Sequence, residues 1–194
     1  MKLTVTHQET YSRGELLLRS FFGIFYIVLP HLFILIFIQI WSSILQFIAF
    51  WVILFTGRYP QSFFEFQVGM LRWNLRLNAR MYNLVDGYPA FGINGTDDET
   101  SLEIEYPEQI SRGETLLKAF FGFIYVLLPH GLILLFRSIW ALILNFMGFW
   151  AVLFTGEYPV TWHRFQVENL RWSTRVSVYM MFMSDVYPPF TGKE

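Results

Sequence analysis

Cysteine is absent from the 194 residues. That excludes disulfides and thiolate chemistry and leaves the redox compartment open. Charge is scarce as well. Asp, Glu, Lys and Arg make up 15% of the chain, against about 25% in a typical soluble domain. No HExxH, GxSxG, P-loop or GxGxxG motif is present, so the common zinc-hydrolase, serine-hydrolase and nucleotide signatures are missing. The long apolar stretches carry no paired carboxylates. No short apolar run precedes a small-residue cleavage site, and residues 1–11 are polar, so no removable signal peptide is expected.

Apolar and aromatic residues are in excess. Hydrophobic residues make up 54% and aromatics 20%, with 22 Phe and 7 Trp. Their clustering decides the class. Residues 16–55 contain Arg19 and His31 as their only basic side chains; residues 115–154 contain Lys118, His130 and Arg137. About 20 apolar residues span a hydrocarbon core. Each block is about twice that, which predicts two short membrane helices back to back.

A shift of ninety-nine residues aligns 12–91 with 111–190 without a gap, at roughly half identity. Ser-Arg-Gly-Glu at 12–15 recurs at 111–114, and Pro30-His31 as Pro129-His130. Leu-Phe-Thr-Gly-x-Tyr-Pro recurs at 54–60 and 153–159, and Leu-Arg-Trp-x-x-Arg at 71–76 and 170–175. Asp86, Tyr88, Pro89 and Phe91 return as Asp185, Tyr187, Pro188 and Phe190. Duplication of this kind implies two copies of one unit about a pseudo-two-fold axis. The chain therefore divides into a tail (1–11), unit 1 (12–91), an acidic linker (92–110), unit 2 (111–190) and a C-terminal tail (191–194). The linker lacks helical apolar spacing and reads as a solvated connection.

Within a unit, Ser12 and Glu15 fit a capping box that starts the first helix. Pro30 predicts a kink and frees the carbonyl of Tyr26, or of Tyr125 in the copy. Gln39, Ser42 and Ser43 predict a turn, with a second helix over 41–55. The two helices form a membrane hairpin that either crosses or re-enters; crossing is the expectation. Gly57 stops it and Pro60 opens the next helix. That helix, over 60–84, sets Arg72, Arg76 and Arg80 four residues apart on one face, amid Trp, Phe and Leu. This is the pattern of a helix lying in the membrane interface. The predicted fold is an all-α integral membrane protein: a tandem duplication in which each unit is a helical hairpin followed by an amphipathic interfacial helix. Basic residues flank both ends of each block, so an even number of crossings is expected. Two parallel hairpins would keep the termini, linker and interfacial helices cytoplasmic.

These residues also resemble a known family. Pro-His in an apolar helix, Leu-Phe-Thr-Gly-x-Tyr-Pro, Leu-Arg-Trp-x-x-Arg and Asp-x-Tyr-Pro-Pro-Phe are similar to an uncharacterised bacterial membrane family known as a domain of unknown function. The first copy departs at its end, with Ala90 where the second has Pro189. The resemblance implies a bacterial inner-membrane setting and no particular activity.

The candidate sites follow from polar groups in apolar surroundings. His31 and His130 lie at membrane depth, where an ionisable group is a functional hypothesis. They would form a proton relay if they met on the axis. Otherwise each bonds a carbonyl near its kink, and two imidazoles without carboxylates are a poor metal set. Tyr26 and Tyr125 are the accompanying intramembrane candidates. Arg72, Arg76, Arg80, Arg171 and Arg175 are candidates for anionic lipid or a partner's acidic surface, or simple interfacial anchors. Asp86 and Asp185 would cap a helix or pair with an arginine. Arg137 would snorkel to the interface. No catalytic residue, cofactor, metal or nucleic-acid partner is expected. The predicted role is a non-enzymatic accessory or scaffold subunit of a larger membrane complex, or a self-oligomer. A small oligomeric transporter or channel and a lipid-binding, membrane-shaping protein are the alternatives.

Overall fold

The computed structural model describes all 194 residues. Strand β1 is Lys2–Val5, helix α1 is Arg13–Thr56, α2 is Gln61–Met81, and β2 is Thr100–Glu103. The second unit repeats the helices as α3, Arg112–Thr155, and α4, Val160–Met180. α1 and α3 are each 44 residues long and apolar enough to cross a membrane.

The expected hairpin is not there. α1 runs helical through Gln39, Ser42 and Ser43 without a break. Ser43 Oγ donates to the Gln39 carbonyl at 2.9 Å, and Ser42 Oγ donates to Gln67 Oε1 on α2 at 2.6 Å. Hydroxyls that bond the preceding turn or a neighbouring helix do not need a loop. No Gly or Pro lies between Pro30 and Gly57 to stop the helix. The two-helix expectation rested on bilayer thickness, which does not dictate where a helix ends. With the hairpins go the parallel orientation and the even crossing count built on them.

The capping box forms in one direction only. Glu15 N–H donates to Ser12 Oγ, and Glu114 N–H to Ser111 Oγ, both at 3.3 Å. The return bond comes from elsewhere, since Ser12 N–H donates to Asp86 at 2.6 Å and Ser111 N–H to Asp185 at 2.7 Å. Pro30 and Pro129 sit just after one turn of π-helix, Ile24–Val28 and Phe123–Leu127. A proline and a π-turn are each recognised causes of a helix kink, and here they adjoin. Gly57 and Gly156 end the long helices in the left-handed region, at φ 72° and 80°, where a Cβ would be strained.

Each unit folds its second helix back along the first. Trp73 meets His31, Gln67 meets Ser42, and Asn83, just past α2, meets Arg19. The two units then pack head to tail. Arg13 Nη2 donates to the Phe154 carbonyl at 3.1 Å and Arg112 Nη2 to the Phe55 carbonyl at 3.0 Å. Tyr11 N–H reaches Gly156 O and Ile110 N–H reaches Gly57 O, each at 2.8 Å. The start of each long helix thus clamps the end of the other, so α1 and α3 lie antiparallel.

The linker and N-terminal tail are more ordered than expected. β1 and β2 pair antiparallel, with Lys2 opposite Glu103 and Val5 opposite Thr100. Leu3 and Leu102 are buried beneath them. The linker also presses on α2: a Cβ on Gly69 would stand 2.9 Å from the Ile93 carbonyl. α2 and α4 are therefore covered on two sides rather than lying half in solvent. Phe64, Val68 and Trp73 are buried on α2, and so are Gln67, Arg76 and Arg80. The main core draws Leu16, Leu75 and Ala79 from unit 1 together with Val152, Tyr158 and Val167 from unit 2.

Candidate functional site

The repeated motifs converge on one arrangement, built twice. His31 is carried on α1 one residue after the proline, and Trp73 of the Leu-Arg-Trp motif faces it from α2. Trp73 Nε1–H donates to His31 Nδ1 at 2.7 Å, and Trp172 Nε1–H donates to His130 Nδ1 at 2.9 Å. Indole N–H can only donate, so Nδ1 must be the bare, accepting nitrogen and the proton sits on Nε2. The Asp-x-Tyr-Pro-x-Phe segment closes the box. Phe91 stacks on His31 with ring centroids 3.8 Å apart, and Phe190 on His130 at 4.0 Å. Tyr88 and Tyr187 flank the same imidazoles. Both histidines are fully buried, and Nε2 has no protein partner in either copy.

The tyrosines have a second task. Tyr88 O–H donates to the Tyr26 carbonyl at 3.0 Å and Tyr187 O–H to the Tyr125 carbonyl at 2.9 Å. These are the carbonyls that Pro30 and Pro129 are expected to free. Each imidazole makes its hydrogen bond and its ring contacts inside its own unit. The structure gives no contact between the two histidines, which a relay on the axis would require. No group of three or more His, Asp or Glu side chains is placed to hold a metal.

An ion pair with a buried cation stands on each long helix, twelve residues before the histidine. Arg19 donates from Nε to Asn83 Oδ1 at 2.8 Å and from Nη2 to Asp86 at 3.3 Å. In the copy, Lys118 Nζ donates to Asp185 at 3.0 Å and lies 4.2 Å from the Tyr179 ring centroid. Asp86 and Asp185 thus cap a helix and pair with a cation at once. The units diverge beside this pair. Tyr179 donates to Glu114 and contacts the Tyr125 hydroxyl, each at 3.0 Å. Its counterpart Arg80 instead donates to Asp97 at 2.7 Å.

The five candidate arginines bond the chain itself. Arg72 Nε donates to the Leu102 carbonyl at 2.8 Å, and Arg76 to the Ala90 and Gly92 carbonyls. Arg171 donates to the Leu3 and Gly192 carbonyls at 2.9 and 2.8 Å, and Arg175 to those of Thr191 and Lys193. Burial lowers the Arg76 and Arg175 guanidinium pKa values from their usual range. These side chains hold the linker and both termini against α2 and α4. Arg137 lies against the Phe165 ring, 4.3 Å from its centroid, and 3.8 Å from Glu168.

Two features had no counterpart in the sequence reading. His163, on the first turn of α4, is buried beside His7 with ring centroids 4.9 Å apart. Burial, and then the neighbouring His7, push its pKa down to about 4. The second feature is a cavity of about 490 Å3 between the units. Its polar lining includes Gln39, Gln46, Asn74, Asn78, Ser173 and Ser177. Asn74, Asn78, Ser173 and Ser177 each donate to a carbonyl of their own helix, and their remaining lone pairs stay free to accept. The alignment of the two units could have pointed to it, because Asn74 and Asn78 are equivalent to Ser173 and Ser177.

The family described as domain of unknown function (DUF4389) matches residues 14–92 and again 117–192. No curated protein and no solved structure matches the chain.

Proposed function

The chain belongs to the DUF4389 family, a domain of unknown function that it contains twice, and from that premise we propose a non-enzymatic scaffold or accessory subunit seated in a membrane. One observation carries the reading. α1 and α3 present an outer face of large apolar side chains that no other part of the chain covers. Phe21, Phe47 and Phe55 on α1 are 68%, 65% and 76% exposed, and Phe120, Phe146 and Phe154 on α3 match them. A soluble monomer rarely leaves such a patch uncovered.

Support also comes from how the polar groups are engaged. The histidines, buried cations and motif arginines bond within the chain, so they hold two copies of a compact unit in place. The lipid contact expected of α2 and α4 passes, in this reading, to α1 and α3. The setting is the bacterial inner membrane that the sequence resemblance implies. The test is extraction of native membranes, first with alkaline carbonate and then with mild detergent. The protein should stay in the carbonate pellet and then leave in detergent with a larger partner at fixed stoichiometry. Release by carbonate would overturn the membrane reading; a lone monomer in detergent would overturn the subunit reading.

The cavity between the units favours a second reading, a binding or transport site for a small hydrogen-bonding solute. Acceptor oxygens on its walls suit hydroxyl or ammonium donors. Uptake of such a solute by proteoliposomes, lost in Asn78→Leu, would support it. No uptake would leave the scaffold reading alone.

A further inference from the structure

We infer that the protein does not cross the bilayer: α1 and α3 lie flat in a single leaflet as a two-rod raft, with every other element on its aqueous side. This rests on the membrane reading above and specifies its geometry.

The first argument is length. Exposed apolar side chains run along α1 from Leu17 to Phe55, about 57 Å at 1.5 Å per residue. A hydrocarbon core is about 30 Å thick. A helix would need to tilt by about 58° to hide that length inside the core, against an observed range of about 0–40°.

The second argument is what packs against the rods. Buried positions on α1 recur at intervals of three, four or seven from Leu16 to Ile53, along one stripe. α2 lies along that stripe and carries Arg72, Arg76 and Arg80, and β2 packs on α2 through the Arg72–Leu102 bond. An upright α1 would draw these arginines, the sheet and the acidic linker into hydrocarbon. Unpaired backbone edges and exposed carboxylates are not tolerated there.

The third argument is where charge goes. Arg19 and Lys118 point inward at 3% and 1% exposure, and Arg137 turns to Glu168. The outer arc is left without a free charge. Its exposed polar residues between the ends, Ser20, Gln39, Ser43 and Ser138, are few and uncharged, and Ser43 bonds its own helix. Exposed Trp41, Trp51, Trp140 and Trp150 lie among the Phe and Ile of that arc, as suits rings near the headgroups. A protein partner would be met by more hydrogen-bonding groups, and by charge, across such a length. An acyl layer requires none.

The lack of cysteine makes the test clean. Glu9→Cys and Arg58→Cys place single thiols just beyond the two ends of α1, both on exposed residues. In sealed, oriented vesicles an impermeant maleimide should label both from the same side. Bimane on Phe21→Cys, Ser43→Cys and Phe55→Cys should be quenched best by brominated lipid of one shared, shallow depth. Labelling from opposite sides, or a depth profile that passes through the midplane, would overturn the raft and leave the membrane reading standing. Carbonate-resistant protein whose probes no lipid quenches would also overturn it, since a protein would then cover the face.

Discussion

At the scale of single residues, the buried imidazole–indole bond recurs in both units, at 2.7 and 2.9 Å. Trp73 is buried and gives its N–H to His31. Replacing it with Phe leaves a bare Nδ1 in apolar surroundings. Loss of a buried partner costs about 1–3 kcal/mol, so Trp73→Phe should lower unfolding stability by about that much. His31→Phe should do the same by stranding the indole. The double variant should cost less than the sum, because it strands neither group. Denaturant titration in detergent checks this, and a fully additive pair would show that the bond carries no energy. His163 gives a pH effect of defined sign. Its folded pKa of about 4 lies below the usual 6.5. Between those values the unfolded chain takes up a proton that the folded chain refuses. Stability is therefore full above about 6.5 and falls as the pH drops toward 4. His163→Gln should flatten the fall in melting temperature over that window.

At the scale of elements, the long helices are shaped by prolines and by the tyrosines that answer them. Tyr88 supplies a donor to the Tyr26 carbonyl, the group that Pro30 deprives of its usual partner. Tyr88→Phe should cost about 1 kcal/mol in the native background. In a Pro30→Ala background the new N–H can serve that carbonyl, and the cost of Tyr88→Phe should shrink toward zero. Equal costs in both backgrounds would show that the hydroxyl does not answer the proline. The same element shows where sequence reading stopped short. Pro30, Gly57, the Ser12 cap and the ninety-nine-residue repeat were all visible. The absence of a turn at Gln39–Ser43 was not, because those polar side chains are satisfied by Gln67 and by the helix itself. β2 was missed for a related reason. The linker has no helical period, but Leu102 and Ile104 alternate with the period of two that marks a strand.

At the scale of the whole molecule, the two units share both their end contacts and their main core. The clamps Arg13–Phe154 and Arg112–Phe55 cross between units, and the main core draws on both. Residues 1–91 expressed alone should fail to give a cooperative unfolding transition, and adding residues 92–194 as a second chain should restore one. A cooperative transition from the single unit would show that the shared core is dispensable. Sequence by itself determined the duplication, the helical class, the apolar blocks and the identity of the paired motifs. These are properties of periodicity and composition, and they survive any arrangement of the chain. Tertiary structure alone decided that each block is one rod, that the rods run antiparallel, and that the arginines turn inward to carbonyls of the linker and termini. It also decided that each histidine pairs with its own unit's tryptophan. The physical reason is that a polar side chain's partner is fixed by whatever the fold brings within about 3 Å. A sequence states which groups need partners and leaves open where those partners will be.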